Sequence, residues 1–151
     1  MINEILLSKI KKIIGEGELA FLSTINLSGI PETRAMLNLH NVSTFPNLQQ
    51  FTENIFTVYF TSNTSSAKVK HIATVKKASV YYTNQKTFEG LLLTGEIEIV
   101  KNADIKKSFW QDNWKMYYKG GVNDPDYALL KFVADEYKYY NGEFKVITGK
   151  I

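Results

Sequence analysis

Apolar residues near the start of the chain, Ile2, Ile5, Leu6, Ile10, Ile13 and Ile14, recur at helical spacing, with Asn3 near the beginning and Gly15 and Gly17 beyond the end. An amphipathic helix is predicted over residues 2–14. The period then changes. Residues 19–25 and 30–39 read as strands on either side of Asn26-Leu27-Ser28-Gly29, whose Asn and Gly supply hairpin geometry. Residues 41–54 are polar and carry Pro46, so they read as a loop, and a third strand follows over 55–61. The segment 64–77 opens with hydroxyl residues and continues with Val69, Ile72, Ala73 and Val75, a helix-compatible pattern. Residues 78–83 and 90–100 are strand-like, and 103–118 form an amphipathic helix bearing Phe109, Trp110, Trp114 and Met116. After the turn-rich stretch 120–126, strands are predicted over 127–140 and 143–148. Six or so short antiparallel strands with a few helices at the edges describe a small barrel of the α+β class.

The chain has 151 residues, 44% of them hydrophobic, enough to bury a core, so 1–151 is read as a single domain. There is no cysteine, which removes disulfides, a thiolate nucleophile and sulfur-ligated zinc and suits a reducing cytoplasm. No leader pattern and no apolar run of about 18 residues is present, so neither secretion nor a membrane partner is expected. The net charge of +3 is spread along the chain and does not mark a nucleic-acid surface.

The basic residues are more telling by type than by number, because all are lysine except Arg34. A lone arginine fits a need for the planar fork that grips phosphate or carboxylate, although a single surface arginine also arises by chance. The stretch Thr61-Ser62-Asn63-Thr64-Ser65-Ser66-Ala67-Lys68 joins a strand end to a helix start and offers hydroxyls, helix N-terminal amides and a lysine. It reads either as an anion cradle or as ordinary capping of a surface helix. His40 and His71 are too few and too isolated for a metal site or a triad, and His71 is expected on the exposed side of its helix. Trp110 and Trp114, one turn apart, are read as core packing, with a role at a cofactor as the alternative.

Taken in order, Glu32-Thr33-Arg34-Ala35-Met36-Leu37, then Tyr59-Phe60-Thr61-Ser62 with Ser66 and Lys68, resemble the FMN-binding split barrel of the pyridoxamine 5′-phosphate oxidase family. Phe109-Trp110, Trp114 and Gly121-Val122-Asn123-Asp124-Pro125-Asp126-Tyr127 resemble its general stress protein branch. The resemblance implies a six-stranded antiparallel split β-barrel with flanking helices, FMN as cofactor, a homodimer and a small-molecule substrate. It implies that Arg34 and Lys68 bind the FMN phosphate, that Ser62 and Ser66 contact phosphate or ribityl, and that the backbone of Ala35, Met36, Leu37 and Asn38 runs beside the ring. Phe60, Thr61 and Trp110 complete the implied set, with Trp110, Tyr117 or Tyr118 reaching the partner's flavin. Many relatives carry an arginine where this chain has Ala67, which implies weaker phosphate binding. The final residues hold no arginine or histidine, so oxidation of pyridoxamine phosphate itself is not expected. Three readings follow: an FMN-dependent reductase, a flavin-binding stress protein without turnover, and a barrel binding single-stranded nucleic acid. The last is opposed by the pairs Tyr81-Tyr82 and Tyr139-Tyr140, which as strand neighbours face opposite sides and cannot form one stacking platform.

Overall fold

The structure, a computed structural model, describes residues 2–151. The first helix, α1 (Glu4–Glu16), begins where Asn3 Oδ1 accepts the Leu6 amide at 2.8 Å and satisfies one orphan donor of the first turn. Its Leu6, Ile10, Ile13 and Ile14 face is buried.

The strands are β1 (Leu19–Ile25), β2 (Pro31–Leu37), β3 (Thr57–Asn63), β4 (Lys77–Asn84), β5 (Glu89–Ile99), β6 (Tyr127–Asn141) and β7 (Val146–Lys150). They pair antiparallel in the order β2-β1-β4-β5-β6-β3, with β7 added to β6. Thus β2 and β3 end the six-strand path as its two edges, and the split of the barrel lies between them. The turn joining β1 to β2 uses Gly29 at φ +79°, while Asn26 Oδ1 accepts the Ser28 and Ile30 amides.

Curvature comes from an irregularity between β5 and β6. Thr94 pairs with Glu136 and Gly95 with Ala134, so Asp135 is skipped in the ladder. A Cβ on Gly95 would stand 2.0 Å from the Val133 carbonyl oxygen, which leaves no room for any other residue. Gly95→Ala is therefore expected to cost about 1–3 kcal/mol by forced backbone displacement, read as a lower midpoint in chemical unfolding; an unchanged midpoint would show that the bulge is free to relax.

Alternate positions of the strands fill the barrel with Leu22, Val58, Phe60, Val80, Tyr82, Leu91, Leu93 and Phe132. As expected for strand neighbours, Tyr82 and Tyr139 are fully buried while Tyr81 and Tyr140 are only partly so.

Several elements depart from the sequence expectation. The helix over 103–118 stops early: α3 spans Ala103–Phe109, Trp110 is extended at φ −59°, ψ 137°, and a 3-10 turn covers Asp112–Met116. The break lets the indoles of Trp110 and Trp114 fold onto Tyr127, so packing overrides a continuous helical pattern. Trp114 and Tyr118 are buried within this chain, beside Phe45, Leu48, Phe109 and Leu129 in a second core. The loop over 41–54 contains a 3-10 turn, Pro46–Phe51, whose Leu48 plugs that core. The helix expected over 64–77 is shorter, α2 (Ala67–Thr74), and β3 runs two residues further than expected. His71 is buried at 6% exposure rather than exposed, because α2 turns it onto β1. No helix among the described residues is long and apolar enough to cross a membrane.

Candidate functional site

Edge strands β2 and β3 leave a cleft of about 270 Å³ between them, lined by Ala35, Met36, Leu37, Thr61, Ser62, Asn63, Lys68, Tyr117 and Tyr118. Antiparallel register places Arg34 opposite Leu22, so its side chain crosses β1 and its Nη1 donates to the Leu22 carbonyl at 3.2 Å and to Thr24 Oγ1 at 2.7 Å. Lys68, in the first turn of α2, donates from Nζ to Ser62 Oγ at 3.1 Å, and Ser62 Oγ lies 3.2 Å from Ser66 Oγ.

Ser66 occupies the N-cap position of α2 yet makes no side-chain cap. Of the two readings of this turn, the bond to Ser62 disfavours plain capping, since the hydroxyl faces the cleft residues instead of the helix amides. Asp126 holds the turn's shape, accepting the Ser65 amide at 2.8 Å and the Asn63 amide group at 2.7 Å. Those bonds keep the Asp126 carboxyl below its usual value.

Partial burial, and then the nearby Arg34 charge, pull the Lys68 ammonium below its ordinary value. Burial likewise lowers the Arg34 guanidinium, with Glu32 acting in the opposite sense. Among the described residues neither cation forms a salt bridge with a carboxylate. Two cations within electrostatic reach of each other, with Glu32 offsetting Arg34 only from beyond ion-pair distance, raise the free energy of the free protein, and an anion bound between them would relieve it.

The other sequence-derived residues divide between the cleft and its support. Met36 is buried, whereas Ala35 and Leu37 are exposed along the cleft. The Asn38 side chain is occupied elsewhere, its amide donating to the Ile14 and Gly17 carbonyls at 2.6 and 2.7 Å, so it can offer the cleft only backbone. The Phe60 ring lies in the barrel core. Trp110 is not among the lining residues; it packs on Tyr118, 6.1 Å between ring centres, and supports the wall. Tyr118 places its hydroxyl near Thr61, and Tyr117 is 59% exposed at the rim. Thr24 and the buried His71, behind Arg34, were not read from sequence as site residues; the only available signal was the alternation of β1, which places Thr24 inward with Leu22.

His40 ties the two cleft edges together below the site. Its Nε2–H donates to the Thr57 carbonyl at 3.2 Å and its amide donates to Asn38 Oδ1 at 3.1 Å. Burial pushes its imidazole down to about 4 from 6.5, partly opposed by the Thr57 bond. Between those values the unfolded chain takes a proton that the folded chain refuses, so stability is full above 6.5 and falls as pH drops toward 4. The expected loss is about 3 kcal/mol. Equilibrium unfolding across this range should show the slope in the wild type and lose it in His40→Gln; an equal slope in both would assign it to other groups.

A larger open cleft of about 600 Å³ lies over Tyr59, Ile72, Ile99 and Ile105. Its charged groups, Lys76, Lys101, Lys131 and Glu98, make no side-chain hydrogen bonds among the described residues, so nothing there is organised for a ligand.

A protein related to general stress protein 26 of B. subtilis (pyridoxinephosphate oxidase family), from Clostridium acetobutylicum, superposes with a TM-score of 0.83 at 29% identity, covering 99% of this chain and 97% of its own. General stress protein 26 from Bacillus anthracis str. Sterne gives 0.69 at 19% identity over 95% and 97% of the two chains. A heme binding protein from Mycobacterium smegmatis shares the fold, with a TM-score of 0.69 at 9% identity over 99% and 60%. No curated protein matches the sequence significantly. The family described as pyridoxamine 5′-phosphate oxidase like matches residues 7–149, and with the split barrel and its two bounding edges in place, the chain belongs to that family.

Proposed function

We propose that the cleft between β2 and β3 binds FMN through its phosphate and that the protein serves flavin-dependent redox chemistry on a small molecule. The observation that carries this reading is the pairing of Arg34 and Lys68, brought together without a carboxylate partner beside the linked hydroxyls of Ser62 and Ser66. A phosphate monoester fits that donor set: a fork, a point charge and two hydroxyls. Ala35–Leu37 on one side and Thr61, Tyr117 and Tyr118 on the other would flank the ring. Bound FMN would supply hydride chemistry, leaving the chain to bind, orient and shield it. Histidine-ligated haem fits less well, because His40 and His71 are 3% and 6% exposed and both rings are engaged in hydrogen bonds.

The cleft of about 270 Å³ falls below the roughly 300–1,000 Å³ of sites that enclose ligands of this size. Leu37 and Tyr117 remain exposed on it and Met116 is exposed nearby. A second copy of the chain closing over these residues would complete two equivalent sites. Titration with FMN and riboflavin tests the reading, since a phosphate-centred site binds FMN at least about tenfold more tightly. Light scattering is expected to give twice the 17.3 kDa chain mass. Equal affinity for the two flavins would overturn the phosphate site, and a monomer that binds FMN tightly would overturn the shared one.

A further inference from the structure

We infer that Thr24 and His71 are positioning residues that aim the Arg34 guanidinium at an anion in the cleft, an inference that rests on the phosphate reading above. Register places Thr24 opposite Glu32 and Leu22 opposite Arg34, so Thr24 stands diagonally across from the arginine. Thr24 is fully buried, and its Oγ1 receives Arg34 Nη1 at 2.7 Å and lies 3.0 Å from His71 Nδ1. On the far side of the ring, His71 Nε2 is 3.6 Å from Glu32 Oε2.

Donor chemistry gives this chain a direction. A guanidinium can only donate, so Thr24 Oγ1 accepts from Arg34 and its own proton is free for a second partner. The Glu32 carboxylate favours the ring proton on Nε2, which leaves His71 Nδ1 bare to accept the threonine hydroxyl. Arginine then donates to threonine and threonine to histidine, while the Glu32 carboxylate, 3.6 Å from Nε2 and beyond hydrogen-bond reach, biases the ring electrostatically.

The result is a guanidinium held from behind. Nη1 is committed inward to Thr24 and Leu22, and Nη2 and Nε remain for a ligand. A free arginine carries considerable rotamer entropy that binding would otherwise have to remove, so anchoring it beforehand strengthens the anion contact. The helix links both halves of the device. Lys68 and His71 are three residues apart on α2, close enough to share a face, and α2 thus presents the second cation and the last support of the first.

The measurement is the ratio of riboflavin to FMN dissociation constants in wild type, Thr24→Val, Thr24→Ser, His71→Leu, His71→Asn and Arg34→Ala. Thr24→Val and His71→Leu are expected to lower the ratio by about five- to tenfold. Thr24→Ser keeps the hydroxyl, and His71→Asn places an oxygen acceptor near the Nδ1 position, so both are expected to restore it. A purely structural role predicts lower stability in the first pair with no change in the ratio, and that result would overturn the inference. If Arg34→Ala loses the FMN preference while Thr24→Val and His71→Leu keep it, the relay falls and the anion site stands. If Arg34→Ala also keeps it, or the wild type has none, the site reading falls and the relay with it. A readout independent of variant folding is long-range 1H–15N NMR of the wild type at mildly alkaline pH. The proton is expected on His71 Nε2, and a proton on Nδ1 would reverse the chain and overturn it.

Discussion

The Arg34→Ala/Lys68→Ala double variant is expected to bind FMN about a hundredfold or more weakly than the wild type while binding riboflavin equally well. In the proposed site each cation would make a charge-assisted contact to phosphate worth about 1.5–3 kcal/mol, so each single variant should lose about ten- to hundredfold. The two effects should not add fully, because the groups are close enough for Arg34 to depress Lys68. Riboflavin is the control that locates the effect on the phosphate. A parallel loss for both ligands would place the damage in the ring cleft, and no loss for either would move the phosphate site elsewhere on the chain.

Trp114→Ala is expected to destabilise the fold by about 3–5 kcal/mol, the largest stability effect among the substitutions considered, because a buried indole cannot be replaced by collapse of rigid neighbours. Trp114 is 2% exposed and its ring packs edge-on to Phe45 and Trp110, with centroids 6.2 and 6.0 Å away, and tilted against Tyr127 at 6.3 Å. For a domain of this size the change corresponds to a melting temperature lower by about 10 °C or more. Tyr117→Ala, three residues along but 59% exposed, serves as the comparison and should shift stability by no more than about 0.5 kcal/mol. Similar effects of the two would mean that the aromatic cluster is not a core. Because Tyr118 stands in the same cluster and in the cleft wall, the Trp114 variant should also bind FMN more weakly, linking this core to the site.

The sequence was most legible where local chemistry and tertiary structure agree. The Ile2–Ile14 periodicity became α1 with Asn3 as its cap, and Asn26 to Gly29 made the hairpin that sets Arg34 on β2. The Ser62, Ser66 and Lys68 side chains, separated along the chain, join in one hydrogen-bonded group, and the lone arginine lies within electrostatic reach of that lysine. It was least legible where long-range packing outweighed local preference. Nothing in 103–118 shows a breaker at Trp110; α3 ends there because an extended backbone carries the indole into contact with Tyr127 and Tyr118.

What the sequence determined by itself was the order of the strands, the first helix and the family, and it singled out Arg34, Ser62, Ser66 and Lys68 as candidate site residues, because each depends on short-range periodicity or on a residue type whose chemistry is unusual in this chain. Only the tertiary structure decided that β2 and β3 are the unpaired edges of one sheet, that Asn38 and Phe60 turn away from the cleft, and that His71 is buried behind Arg34 instead of facing solvent. Those outcomes depend on register and on which face of a helix meets the sheet. Both are set by the summed burial of distant apolar groups, a quantity that no local window of sequence contains.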